Sequence, residues 1–229
     1  MSNRLAGKGA CALCIARVSN IRLWPSPPRK IQGRRRGQID TTSPNAALPL
    51  LPFGPAEVIA KVAHAAFGKP LVTNVLRAQV VEAMIALVLE PQWQWCSADY
   101  APCDFQRDDG LRLEVKQSAA RQSWSTDKPS KAIFDVAART GRNEADGWVA
   151  EFGRAAQIYV FGHLPVFDDS ADHRDPRQWL FYVVPTNALP DVKQIALSTI
   201  KTLASPVSLS ALAATVHAIA LRATSEKPA

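Results

Sequence analysis

Cys103-Asp104-Phe105-Gln106-Arg107-Asp108-Asp109-Gly110-Leu111-Arg112-Leu113-Glu114-Val115-Lys116 reads as two short strands around a tight turn. Asp-Asp-Gly between two alternating runs fits a three-residue hairpin loop, with Gly110 in the left-handed position. That loop pairs Arg107 with Leu111, Phe105 with Leu113 and Asp104 with Glu114. Alternation then sends Phe105, Leu111, Leu113 and Val115 to one face, all apolar. Asp104, Gln106, Arg112, Glu114 and Lys116 go to the other, all polar. A two-residue loop would set Phe105 against Glu114 and mix the faces, so the hydrophobic pattern selects the three-residue register.

The register has a chemical consequence. Two carboxylates directly across a strand pair stand with Cβ atoms roughly 5 Å apart, which is destabilising unless a cation lies between them. Lys116 leans over the same face. A divalent cation with oxygen ligands fits the remaining charge deficit, since Mg²⁺ takes one or two carboxylates and completes its shell with water and substrate oxygens. The ammonium would hold the attacking water while the cation stabilises charge developing on phosphorus oxygens. A solvated edge hairpin with Lys116 as a plain ion-pair partner remains the alternative reading of these residues alone.

Glu82 lies upstream, on a run whose helical neighbours are Val75, Ala78, Gln79, Ile85, Ala86 and Leu89. A carboxylate on a mostly apolar stripe has to be paired, coordinated or protonated. Arg77 could pair with it. An acid aimed at the Asp104, Glu114 and Lys116 face explains it more economically.

Outward from these residues, Pro55, Gly54 and Gly68 bracket a helix over 55–67. Thr73 or Asn74 can cap a second helix running to about Leu89 and stopped by Pro91. Strands are expected at 93–96, 103–106, 111–117, 158–161 and 179–184, with 133–136 open between strand and helix. A closing helix is expected over 207–222. Helices at both ends of a strand-rich middle predict an α/β fold, one mixed sheet flanked by helices.

Residues 1–50 read differently, as a Pro- and Arg-rich tail without helical or strand period, expected to be disordered; the domain is expected over 51–229. The formal charge is +7, but residues 1–45 hold nine Lys and Arg and a single acid, so the remainder is close to neutral. Net charge therefore does not decide for a polyanion partner. No stretch is long and apolar enough to span a membrane, and no membrane partner is expected. Four cysteines in a chain of 229 residues without a secretory signal point to a reducing, cytoplasmic setting. Cys11 and Cys14 have the spacing of half a zinc site, yet free thiols are the favoured reading of all four.

The pattern of helix acid, strand Asp, short turn and Glu-x-Lys resembles the restriction-endonuclease-like superfamily, the PD-(D/E)xK nucleases. Glu82, Asp104 and Glu114-Val115-Lys116 carry the signature. Leu111-Arg-Leu-Glu-Val-Lys-Gln-Ser-Ala followed by Arg121-Gln-Ser-Trp124 is similar to an uncharacterised prokaryotic family related to these nucleases. So are the runs Gln157-Ile-Tyr-Val-Phe161 and Gln178-Trp-Leu-Phe-Tyr-Val-Val-Pro185. The resemblance covers roughly residues 70–210. It implies a central four- or five-stranded mixed sheet and Mg²⁺-dependent phosphodiester hydrolysis, with Mn²⁺ as a substitute and DNA as substrate. It implies Asp104, Glu114 and the Val115 carbonyl as metal ligands, Glu82 at a second site or through water, and Lys116 as the group positioning water. The residue before Asp104 is Cys103 rather than Pro, and Gln117 follows the lysine; neither removes a ligand.

Arg121, Gln122, Ser123 and Lys131 are the candidate nucleic-acid contacts, with Lys128 and Arg139 as further phosphate contacts or solvated cations. Trp124 is expected in the core. His64, His163, His173 and His217 stand at no metal-ligand spacing, and Asp168, Asp169, Asp172 and Asp175 read as a solvated loop. Two functions follow: a metal-dependent endonuclease, homodimeric or not, or a non-catalytic nucleic-acid-binding module retaining the nuclease fold.

Overall fold

The computed structural model describes residues 52–96, 101–124, 127–144 and 147–225. The expected tail over 1–50, with Cys11 and Cys14, lies outside the described residues.

Two helices lead into the sheet. In α1 (Pro55–Phe67), proline occupies the first turn and the Gly54 N–H donates to the Glu57 carboxylate at 2.8 Å, satisfying one otherwise free donor. No residue of α1 is buried. In contrast, α2 (Asn74–Leu89) buries Val81, Met84, Ile85, Ala86 and Leu89, and ends just before Pro91.

The sheet has five strands: β1 (Gln94–Trp95), β2 (Phe105–Gln106), β3 (Arg112–Ala119), and two more introduced below as the chain reaches them. Between β2 and β3 the pairing is antiparallel, Phe105 opposite Leu113 and Gln106 opposite Arg112. Arg107 N–H donates to the Leu111 carbonyl at 2.9 Å, and Gly110 has φ 85°, which closes the three-residue loop the sequence calls for. Phe105 and Leu113 are both fully buried.

The chain then makes the small pieces β4 (Ile133–Asp135), β5 (Arg142–Glu144) and β6 (Gly147–Val149) before returning as β7 (Ile158–Leu164), parallel to β3. All seven residues of β7 are buried, as a central strand covered on both faces requires. The antiparallel β8 (Leu180–Pro185) completes the order β1-β2-β3-β7-β8, a mixed sheet. The last segments are β9 (Gln194–Ala196), α3 (Leu197–Leu203) and α4 (Leu209–Ser225).

Each face of the sheet has its own core. Leu113, Val115, Ile158 and Val160 pack with α2 and with Leu212, Val216 and Ala220 of α4. Tyr159, Phe161, Tyr182 and Val184 pack with Phe134 of β4, Ile195 of β9 and Ile200 of α3. Because β3 alternates, Glu114 and Lys116 emerge on this second face, beside their parallel partners Tyr159 and Phe161. Truncating Leu113 to alanine is expected to cost about 2–5 kcal/mol, the usual range for a core leucine. The urea midpoint of unfolding measures it, and an unchanged midpoint would contradict the register.

Three local expectations change. Residues 133–135 are strand, paired with 194–196, a non-local ladder that a three-residue run cannot announce. The closing helix starts at Leu209, because Val207 instead exchanges both backbone hydrogen bonds with Phe181, at 2.8 and 2.9 Å, at the edge of β8. The hairpin β5–β6, β9 and α3 are additions. No helix among the described residues is long and apolar enough to cross a membrane.

Candidate active site

Asp104 lies where the β2–β3 ladder stops. A regular register would continue through a bond between Cys103 and Val115. Instead the Asp104 N–H donates to the Leu113 carbonyl at 3.2 Å, and the Val115 N–H donates to Asp104 Oδ2 at 2.6 Å. The aspartate side chain thus takes the place of a backbone acceptor, and its carboxylate is fixed against the strand that carries Glu114. On the other side, the Cys96 N–H donates to the Asp104 carbonyl at 2.8 Å, which holds Asp104 between β1 and β3.

Lys116 Nζ donates to Glu114 Oε1 at 2.5 Å. An ammonium has three donors, so two remain for other acceptors. Glu82 comes from α2 and is held by a hydrogen bond from Trp95 Nε1 to its Oε2 at 3.0 Å. Its alternative partner, Arg77, is engaged elsewhere: the guanidinium is buried and donates to Gln117, Gln122 and Asn74 at 2.7, 3.0 and 2.6 Å.

The electrostatics show that these groups share one environment. Burial pushes the Asp104 carboxyl up to about 7, helped by the charges of Glu114 and Glu82 and opposed by the Val115 N–H and Lys116. Burial also raises Glu82, with the Trp95 hydrogen bond opposing and Glu114 adding to the rise. Burial pulls Lys116 down, but the Glu114 charge and hydrogen bond, with Asp104, outweigh it and hold the ammonium above its ordinary value. Three carboxyl groups therefore face one ammonium, and the site is short of positive charge.

The donor set suits a hard divalent cation: carboxylate oxygens in excess of local cations, partly exposed, on a strand whose backbone is also within reach. Among the described residues, no three His, Cys, Asp or Glu side chains stand close enough to form a ready metal cluster.

The proposed nucleic-acid contacts divide. Gln122 is buried; it accepts from Arg77 and donates to the Ala119 carbonyl at 2.7 Å, so in this structure it ties the end of β3 to α2 and faces no solvent. Arg121 donates to the Phe167 carbonyl at 2.9 Å and pairs with Asp169 at 2.8 Å. Ser123 and Lys131 are exposed, and so is Trp124, at 56%. Its expected core position is wrong because the chain leaves the sheet after Ala119. His173 is fully buried between the Val72 N–H and the Arg121 carbonyl. The acids of the 168–175 loop meet local partners, Asp172 with Arg174 and Asp175 with Arg177. Cys96 and Cys103 are free thiols.

Sequence reading missed two residues of the site. Trp95 depends on β1 pairing with β2, which brings its indole to Glu82. Tyr159 stands beside Glu114 only through the parallel β3–β7 register. Comparison of the chain with family models, with characterised proteins and with solved structures gave no match.

Proposed function

We propose that the protein is a divalent-metal-dependent endonuclease acting on DNA, and that its sheet is a restriction-endonuclease-like core. One observation carries the reading. Asp104 and Glu114 are brought together at the end of the β2–β3 ladder, with Lys116 as the local ammonium and an excess of carboxylate. A purely structural hairpin gains nothing from burying acids against one another.

Asp104, Glu114 and the Val115 carbonyl would hold Mg²⁺ or Mn²⁺, with Glu82 reaching it through water. Bound there, the cation would supply Lewis-acid stabilisation of the charge that develops on the phosphoryl oxygens. The Val115 N–H keeps one Asp104 oxygen oriented and leaves the other free. Glu114 accepts a hydrogen bond from the Lys116 ammonium, whose remaining two donors would be available to a water or a phosphate oxygen. The indole of Trp95 fixes Glu82. Ser123, Lys131 and Lys128 are exposed and available to a phosphate backbone.

The second reading, a binding module retaining the nuclease fold, is favoured by the short Lys116–Glu114 pair and by the lack of a three-acid cluster among the described residues. Divalent-dependent scission of DNA separates the two.

A further inference from the structure

In the parallel register of β3 and β7, Glu114 stands beside Tyr159 and Lys116 beside Phe161, so Tyr159 shares the second face of the sheet with the Glu114–Lys116 pair. Its ring is 5% exposed, stacks on Phe161 with centroids 5.8 Å apart and belongs to the apolar core of that face. A tyrosine packed so deeply usually has a partner for its hydroxyl. The Tyr159 hydroxyl has none among the described residues. Nor is it one of their fully enclosed unmatched atoms, which are Arg112 Nε and His163 Nδ1, so it reaches solvent. The ring is fixed and its donor is free.

Arg154, just before β7, is also fixed and also incompletely used. Its Nε donates to the Val136 carbonyl at 2.7 Å and its Nη2 to the Pro190 carbonyl at 2.6 Å. Two of its five N–H groups hold the guanidinium in place, and three remain. No carboxylate pairs with it among the described residues. The charges of Glu114, Lys116, Arg154 and Arg139 all act on the Tyr159 phenol, which places the four groups near it. Lys116 is paired with Glu114, and Arg139 with Asp135. Among the described residues, Arg154 is therefore the cation beside Tyr159 whose charge no carboxylate offsets.

We infer that Tyr159 and Arg154 bind one phosphate of a DNA strand, the phenol donating to one non-bridging oxygen and the guanidinium to the other. A phosphodiester brings one negative charge and two acceptor oxygens, which match one unpaired guanidinium and a set of free donors. A neutral ligand would leave the charge of Arg154 without a counterpart. Glu114 opposes an anion at the phenol, and Lys116, donating to Glu114, offsets that opposition. The inference rests on the nucleic-acid reading of the protein and adds a substrate contact to it, a phosphate held beside the Glu114–Lys116 pair.

The test uses the full chain in Ca²⁺, with a labelled DNA duplex titrated by fluorescence anisotropy at a series of salt concentrations. Arg154→Ala is expected to weaken binding about tenfold or more and to reduce the salt slope by about 0.9, the share of one phosphate. Tyr159→Phe keeps the ring in the core and loses only the hydroxyl. It is expected to weaken binding about tenfold while the salt slope and the urea midpoint stay as in wild type. The double variant should lose less than the two losses combined, because both groups hold the same phosphate. Should Arg154→Ala fail to fold, Tyr159→Phe still decides. A duplex that does not bind, binding indifferent to Tyr159→Phe, a folded Arg154→Ala with the wild-type slope, or strictly additive losses would overturn the inference. Cleavage by the wild type in Mg²⁺ is scored separately. Binding of the expected kind in a protein that cuts nothing removes the nuclease reading alone. Cleavage together with binding indifferent to both substitutions removes this phosphate site alone.

Discussion

Lys116→Ala is expected to lower the rate of Mg²⁺-dependent DNA cleavage by about 10²–10⁴-fold, the range set by groups that position or move a proton. The substitution removes the one ammonium among Glu82, Asp104 and Glu114 but leaves Asp104 on the Val115 N–H and both acids available to the cation. Folding should survive, because Lys116 lies on the polar side of β3 and contributes to neither apolar core. Affinity for uncleaved DNA in Ca²⁺, an oxygen-binding ion used as a non-catalytic substitute, should change only modestly. Single-turnover rates and Ca²⁺-supported binding, measured side by side, read both quantities. A rate indifferent to the substitution would remove Lys116 from the chemistry. Loss of binding equal to the loss of rate would make it a phosphate contact.

Asp104→Asn should have the opposite sign on stability. An aspartate titrates near 3.9 in the unfolded chain, whereas Asp104 is raised to about 7 in the fold. Between those values the folded state holds the extra proton, so stability falls as pH rises from about 4 to 7 and stays lower above. Asparagine keeps an acceptor for the Val115 N–H and removes the charge. In EDTA at pH 8 the variant is therefore expected to be more stable by about 1–3 kcal/mol, below the full linkage value because the carboxyl keeps some contact with water. That corresponds to a melting temperature several degrees higher. At pH 4 the difference should vanish. Mg²⁺ or Mn²⁺ should raise the wild-type melting temperature with concentration and leave Asp104→Asn nearly unmoved, since only a bound ion stabilises the fold. A variant less stable than wild type at pH 8, or a wild type indifferent to both metals, would contradict the account of the site.

The parts of the fold that could be read from the sequence are those set by local pattern. Phe105, Leu111, Leu113 and Val115 alternate with polar residues around Gly110, and one register satisfies them. The continuous apolar run from Ile158 marks a strand covered on both faces. What escaped depends on partners distant in the chain. Residues 194–196 become a strand only against 133–135, and Trp95 meets Glu82 only because β1 joins β2. Gln122, read as a nucleic-acid contact, is buried for a related reason. Its neighbour in space is Arg77, a buried helix cation that, among the described residues, donates to Asn74, Gln117 and Gln122 rather than to a carboxylate. Arg77 sits among the apolar residues of α2, and that placement was the available signal. Asp104 was placed opposite Glu114 from the register alone, and the ladder ends just short of that pair. The aspartate keeps its position by accepting the Val115 N–H.

The central claim is that Asp104 and Glu114 support metal-dependent scission of DNA. It is tested most directly by the conversion of supercoiled plasmid to nicked and linear forms. Wild type, Asp104→Asn and Glu114→Gln would be purified in parallel and assayed in Mg²⁺, in Mn²⁺ and in EDTA, with labelled single-stranded DNA beside the plasmid. The account predicts cleavage by wild type in either metal, none in EDTA, and none by either folded variant. Cleavage that persists in both variants, or a folded wild type inert on both DNAs in both metals, would contradict it.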